Sequence, residues 1–123
     1  MAAASRNRPN SDTDRLVVAR ISGIALRHAR WHEPTEGETA AAVADLREVA
    51  GDRPDLLAEQ AGILLGFHEG GLDEPRAKAA ASFCIAAGAD QDLIPRWVTV
   101  GRERAEFAGR PPFSRPGRAP RRP

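Results

Sequence analysis

The sequence predicts an all-α protein, a compact bundle of about five helices around a central apolar helix at residues 54–69. Three observations carry this expectation. Apolar residues recur at helical spacing in five segments, and no segment alternates apolar with polar residues as a half-buried strand would. Proline and glycine mark the boundaries between those segments at short intervals. One segment, PDLLAEQAGILLGFHEGG from Pro54 to Gly71, is apolar or small on nearly every side.

The 123 residues suffice for one domain with a modest core. The expected organisation is a disordered lead-in over 1–10, a single helical domain over 11–109 and a disordered Arg/Pro-rich tail over 110–123. The lead-in is small, polar and interrupted by Pro9. Ser11 or Asp12 can cap a first helix running to about Trp31, with Val17, Val18, Ile21, Ile24 and Ala25 on one side. Pro34 bars the chain from continuing helically through Glu33, and Thr35 followed by Glu38 forms a capping-box pattern for a second helix ending at Gly51. Its apolar edge, Ala42, Val43, Leu46, Val49 and Ala50, is narrow, so this helix belongs on the outside.

Asp52 is the expected cap of the third helix, with Pro54 in its first turn and Gly70–Gly71 as its stop. Leu56, Leu57, Ala61, Ile63, Leu64, Leu65 and Phe67 sweep an arc of roughly 200°, wider than the stripe of a surface helix. Ala58, Gly62 and Gly66, spaced four apart, leave a nearly bare strip where another backbone can approach. The fourth helix opens at Asp73, Glu74 and Pro75, points Ala77, Ala80, Ala81, Phe83, Cys84 and Ile85 inward, and stops before Gly88. Asp90 or Asp92 caps the fifth, in which Pro95 still falls within the first turn. Leu93, Ile94, Trp97, Val98, Val100, Gly101 and Ala105 share one face of it, opposite Arg96, Thr99, Arg102, Glu103 and Glu106.

A net charge of +1 conceals a strong segregation. Residues 1–31 carry six arginines against two aspartates, residues 32–92 carry four basic against thirteen acidic side chains, and residues 93–123 carry eight arginines against two glutamates. Basic ends around an acidic middle favour pairing within the chain, with a second copy or with an external polyanion. The candidate contact residues are Arg20, Arg27 and Arg30 along the first helix and Arg110, Arg115, Arg118, Arg121 and Arg122 in the tail. The tail sequence RPPFSRPGRAPRRP holds five arginines, five prolines and no acid. Such a segment contacts phosphates without base preference, and its Pro120-Arg-Arg-Pro123 matches the bare form of a polyproline ligand.

Leu57-Ala58-Glu59-Gln60-Ala61-Gly62-Ile63 resembles the first helix and turn of a Cro/repressor helix-turn-helix domain. That resemblance implies a base-reading helix immediately after it. Leu64, Leu65, Gly66 and Phe67 stand there instead, and they cannot hydrogen-bond base edges.

His28 and His32 are four apart, as a metal-binding pair on a helix must be, with Glu33, His68 and Cys84 as the further ligands such a site would need. The spaced Cys and His patterns of established metal sites are absent, so hydrogen-bonded structural histidines are expected, with no metal and no cofactor. There is no nucleophile elbow or glycine-rich phosphate loop, and Cys84 sits on an apolar face. His68-Glu69-Gly70-Gly71 brings one base near one acid, but a histidine at a helix C-terminus already has a structural role.

The sequence therefore predicts a small non-catalytic helical interaction or accessory protein that binds a protein partner or itself. The alternative is an accessory nucleic-acid-binding protein using the basic stripe and the tail. One cysteine, no export-type leader and no long apolar run predict a cytoplasmic protein without membrane contact. Seventeen arginines to one lysine, and no tyrosine, fit a GC-rich bacterial coding sequence.

The bare strip yields a packing prediction, namely that the fourth or fifth helix crosses the third near Gly62 and Gly66. Gly62→Leu should then lower stability by about 1–3 kcal/mol through overpacking. Chemical denaturation measures it, and an unchanged midpoint would return the strip to solvent.

Overall fold

The computed structural model describes residues 12–109. Its elements are α1 (Asp12–His28), α2 (Glu36–Ala50), α3 (Pro54–Phe67), α4 (Glu74–Ala86), a 3-10 turn (Gln91–Leu93) and α5 (Ile94–Phe107). The chain is thus all-helical over the described residues, and the expectations for 1–10 and 110–123 lie outside them. None of these helices is long and apolar enough to cross a membrane.

Local chemistry explains most of the boundaries. At the start of α2, Glu38 N–H donates to Thr35 Oγ1 at 3.1 Å and Thr35 N–H donates to Glu38 Oε1 at 3.0 Å, so two orphan donors are satisfied reciprocally. Gly51, with φ 57°, stops α2 in a conformation that disfavours side chains. Pro54 and Pro75 sit in first turns, where no amide hydrogen is needed.

Two expected caps are corrected. Arg53, not Asp52, is the N-cap residue of α3 and makes no side-chain capping bond. Asp90 does accept from Asp92 N–H at 3.1 Å, but this opens the 3-10 turn, and α5 starts only at Ile94.

The end of α1 is a third correction. It stops at His28, three residues short of Trp31, because side chains take over its last carbonyls. Arg30 Nη1 donates to Arg27 O at 2.8 Å and to Ala29 O at 3.0 Å, while Arg76, from α4, donates to Leu26 O at 2.7 Å. These bonds replace the turn that would otherwise satisfy the helix end.

α3 is the centre of the bundle and contacts each of the other four helices. Every residue from Leu56 to Leu64 is buried, including Glu59 and Gln60. The small strip of Ala58, Gly62 and Gly66 is buried with them. Leu56 and Leu57 pack into one core with Ile21 and Ala25 of α1, Ala42 and Leu46 of α2, and Ala80, Phe83 and Cys84 of α4. As expected, α2 contributes a narrow edge, with only Ala42, Leu46 and Ala50 fully buried.

The other side of α3 meets α5 backbone to backbone. A β-carbon at Gly62 would stand 2.7 Å from Ile94 O and 2.9 Å from Val98 N, and would overlap Trp97 Cβ. At Gly66 it would overlap Val98 O and lie 2.9 Å from Arg102 N. The fit is reciprocal, since a β-carbon at Gly101 would lie 2.5 Å from Ile63 O and 2.9 Å from Phe67 N. Gly62 faces residues 94–98 and Gly66 faces residues 98–102, so the two helices run parallel.

Of the two candidate helices, α5 therefore makes the close crossing, while the alanines of α4 pack in the main core. The amphipathic expectation for α5 is corrected in degree. Gly101 is its only fully buried residue, and Ile94, Trp97, Val98 and Val100 are half-buried.

Two alanine substitutions of opposite sign test this seam. Gly66→Ala forces a methyl into the fixed Val98 carbonyl and should cost about 1–3 kcal/mol. Gly23→Ala, on the exposed face of α1 with nothing within 4 Å, should stabilise by about 0.4–1 kcal/mol by restricting the unfolded chain. Urea titration reads both, and a neutral Gly66→Ala would mean that α5 does not seat on α3.

Candidate functional site

The arginines singled out along α1 do not form one surface. Arg20 is exposed and makes no ion pair with the described residues. Arg27 reaches Asp45 of α2 at 3.7 Å across solvent, a separation and exposure at which a pair contributes little. Arg30, two residues beyond α1, is occupied by Arg27 O at the end of that helix and by Ala29 O. Arg110, Arg115, Arg118, Arg121 and Arg122 lie outside the described residues.

The histidine pair is also separated. His28 Nε2 hydrogen-bonds Asp45 Oδ2 at 2.9 Å and meets the Phe83 ring edge-on, 6.4 Å between centroids. His32 falls beyond the end of α1, where its Nδ1 hydrogen-bonds Glu33 O at 2.9 Å, the oxygen accepting. His68 packs edge-on against Phe67. Among the described residues, no three His, Cys, Asp or Glu side chains converge as a metal site requires. Cys84 is fully buried, and that burial pushes its thiol up to about 12.

Two charge clusters tie elements together. The Arg53 guanidinium donates to both carboxylate oxygens of Asp14 on α1, at 3.0 and 3.3 Å, and to both of Asp55 on α3, at 3.1 and 3.0 Å. Bidentate geometry on both sides makes this stronger than a simple surface pair. Burial pushes the Asp55 carboxyl up, but the hydrogen bonds and charge of Arg53 outweigh it and leave Asp55 below its ordinary 3.8. At the opposite end of α3, Arg102 of α5 grips Glu69 at 2.6 and 3.1 Å, and this contact holds the Glu69 carboxyl down.

The concave feature that the sequence did not disclose is an open groove of about 460 Å³. It runs between the α1–α2 connection, which supplies Trp31, His32, Glu33 and Pro34, and α4, which supplies Pro75, Lys78, Ala79 and Ser82. Thr39 of α2 also lines it. Trp31 remains 56% exposed, yet it is held in place, because the Arg76 guanidinium lies over its ring at 5.1 Å from the centroid. Arg76 Nε is itself buried and has no acceptor among the described residues. Thr39 and Ser82 donate their hydroxyl hydrogens to Thr35 O and Ala79 O, at 2.9 and 2.7 Å, and keep acceptor lone pairs.

An aromatic plane held by Arg76, with two prolines, hydroxyl acceptors and an acid in the same lining, suits binding of an extended or planar group. A tryptophan followed within three residues by a proline that interrupts the helix was the only local signal of this site. The helical reading through Trp31 concealed it. Compared with protein-family models, curated proteins and solved structures, the chain matches none.

The Arg53 cluster has a definite pH dependence. A carboxyl held below its ordinary value contributes stability at neutral pH and loses it as pH falls through the folded-state value. Asp55→Asn should therefore lower stability at pH 7 by about 1 kcal/mol, discounted for partial exposure. The difference from the parent should shrink progressively as the pH drops below 3.8. Thermal unfolding across an acid series measures both, and a gap that persists unchanged at low pH would contradict the electrostatic cause.

Proposed function

We propose that the protein is a non-catalytic helical interaction protein whose partner is another protein surface, a second copy being the simplest. One observation carries this reading. Leu72, in the turn between α3 and α4, is 88% exposed, and Phe107, the last residue of α5, is 94% exposed. The parallel α3–α5 seam and the Glu69–Arg102 grip bring the ends of both elements to the same end of the bundle. Isolated exposed apolar residues are ordinary, but two large ones at one end support a patch for a partner.

The segregated charge supports the same reading, because a basic segment beside an acidic one is complementary to another copy of itself. Nucleic-acid binding is the competing reading, supported by exposed Arg20, which makes no ion pair among the described residues, and by the five tail arginines.

Light scattering over a concentration series at low and moderate salt tests the proposal. The parent chain should gain mass with concentration, and Leu72→Ser/Phe107→Ser should remain monomeric with its thermal midpoint nearly unchanged. A monomer at high concentration under both salts would overturn self-association. Saturable binding of a short oligonucleotide at low salt, abolished by Arg20→Glu, would favour the competing reading.

A further inference from the structure

We propose that the groove at Trp31 binds a small aromatic zwitterion, a free aromatic α-amino acid. The lining brings together one aromatic plane, one carboxylate and one ammonium. Each selects a different part of the ligand.

The plane is Trp31, which lines the groove, whereas Arg76, its guanidinium 5.1 Å from the ring centroid, is no part of the lining. The cation therefore backs the indole from outside the groove. It draws the π electrons toward itself, which weakens the open side of the ring for a second cation and leaves it suited to a neutral ring. Pro34 and Pro75 extend the apolar lining that such a ring would cover.

The charges are Glu33, on the α1–α2 connection, and Lys78, on α4; both are exposed, and neither makes an ion pair among the described residues. Opposed charges in one lining penalise a ligand of either single sign and complement one that carries both. His32 Nδ1 hydrogen-bonds Glu33 O at 2.9 Å and so braces the backbone that carries the acid. Thr39 and Ser82 donate their hydroxyl hydrogens to Thr35 O and Ala79 O, so toward a ligand they can only accept. An α-ammonium has three N–H donors and no acceptor, which matches Glu33 and the two hydroxyls in kind, while an α-carboxylate answers Lys78. The volume of about 460 Å³ falls within the roughly 300–1,000 Å³ of small-molecule sites.

The test titrates the ¹⁵N-labelled full chain with L-phenylalanine and follows the two tryptophan indole signals. Trp31 should shift saturably with a dissociation constant on the order of 1 mM, as suits a ligand of this size in an open groove, while Trp97, on the α3–α5 seam, should stay in place. 3-Phenylpropionate lacks the ammonium, L-phenylalaninamide the carboxylate and L-leucine the ring, and each should bind about tenfold more weakly. Glu33→Gln should erase the preference over 3-phenylpropionate, and Lys78→Gln the preference over L-phenylalaninamide, both with the Trp97 signal unchanged. No saturable shift at Trp31 up to the solubility limit, equal affinities for all four compounds, or preferences that survive both substitutions would overturn the proposal. Equal affinity for L-phenylalanine and its amide alone would overturn the free amino acid in favour of the amino-terminal residue of a peptide.

Discussion

Between α3 and α5 the two backbones approach until Gly62, Gly66 and Gly101 leave no space for a β-carbon, and much else in the molecule follows from that approach. Glycine inside a helix costs about 0.5–1 kcal/mol relative to alanine. The offset here is that carbonyls and Cα atoms of one helix fill the surface of the other, so α3 is enclosed on the side opposite its leucines. A helix enclosed on both sides buries every residue from Leu56 to Leu64, and even Glu59 and Gln60 are carried inside. α5 gains little from side-chain burial in return. Its attachment depends on the fit of three glycines rather than on a conventional apolar stripe.

Charges clip the elements at their ends and leave the middle to packing. Arg53 joins the start of α1 to the start of α3, Arg102 joins the end of α3 to α5, and Arg76 joins α4 to the end of α1. The segregated composition is thus partly consumed within the molecule, as where Asp45 of the acidic middle meets Arg27 and His28. The Arg76 contact has a second effect, because the same guanidinium that donates to Leu26 O also lies over Trp31. Terminating α1 and presenting an indole to the groove are therefore one event.

Much of the fold was legible in the residues. Thr35 and Glu38 announce the capping box, Gly51 and the helix-opening prolines mark boundaries, and the small strip of Ala58, Gly62 and Gly66 announces a close neighbour. The candidate site was much less legible. Arg20, Arg27 and Arg30 share a face on a wheel, but an ion pair and a helix end engage two of them. His28 and His32 have metal-pair spacing only if the helix continues, and it stops at His28.

Local stereochemistry explains the division. Capping, proline's missing amide hydrogen, glycine's missing side chain and helical periodicity act within a few residues, so the sequence alone determined an all-α chain, its five helices and the identity of the central one. Which helix fills the glycine strip, where α1 ends and whether Trp31 faces a groove depend on groups far apart in the chain. Gly101 meets Ile63 and Phe67, and Arg76 meets Leu26 across fifty residues. Carbonyls at a helix end accept any donor that arrives, and only the tertiary structure decides which one does.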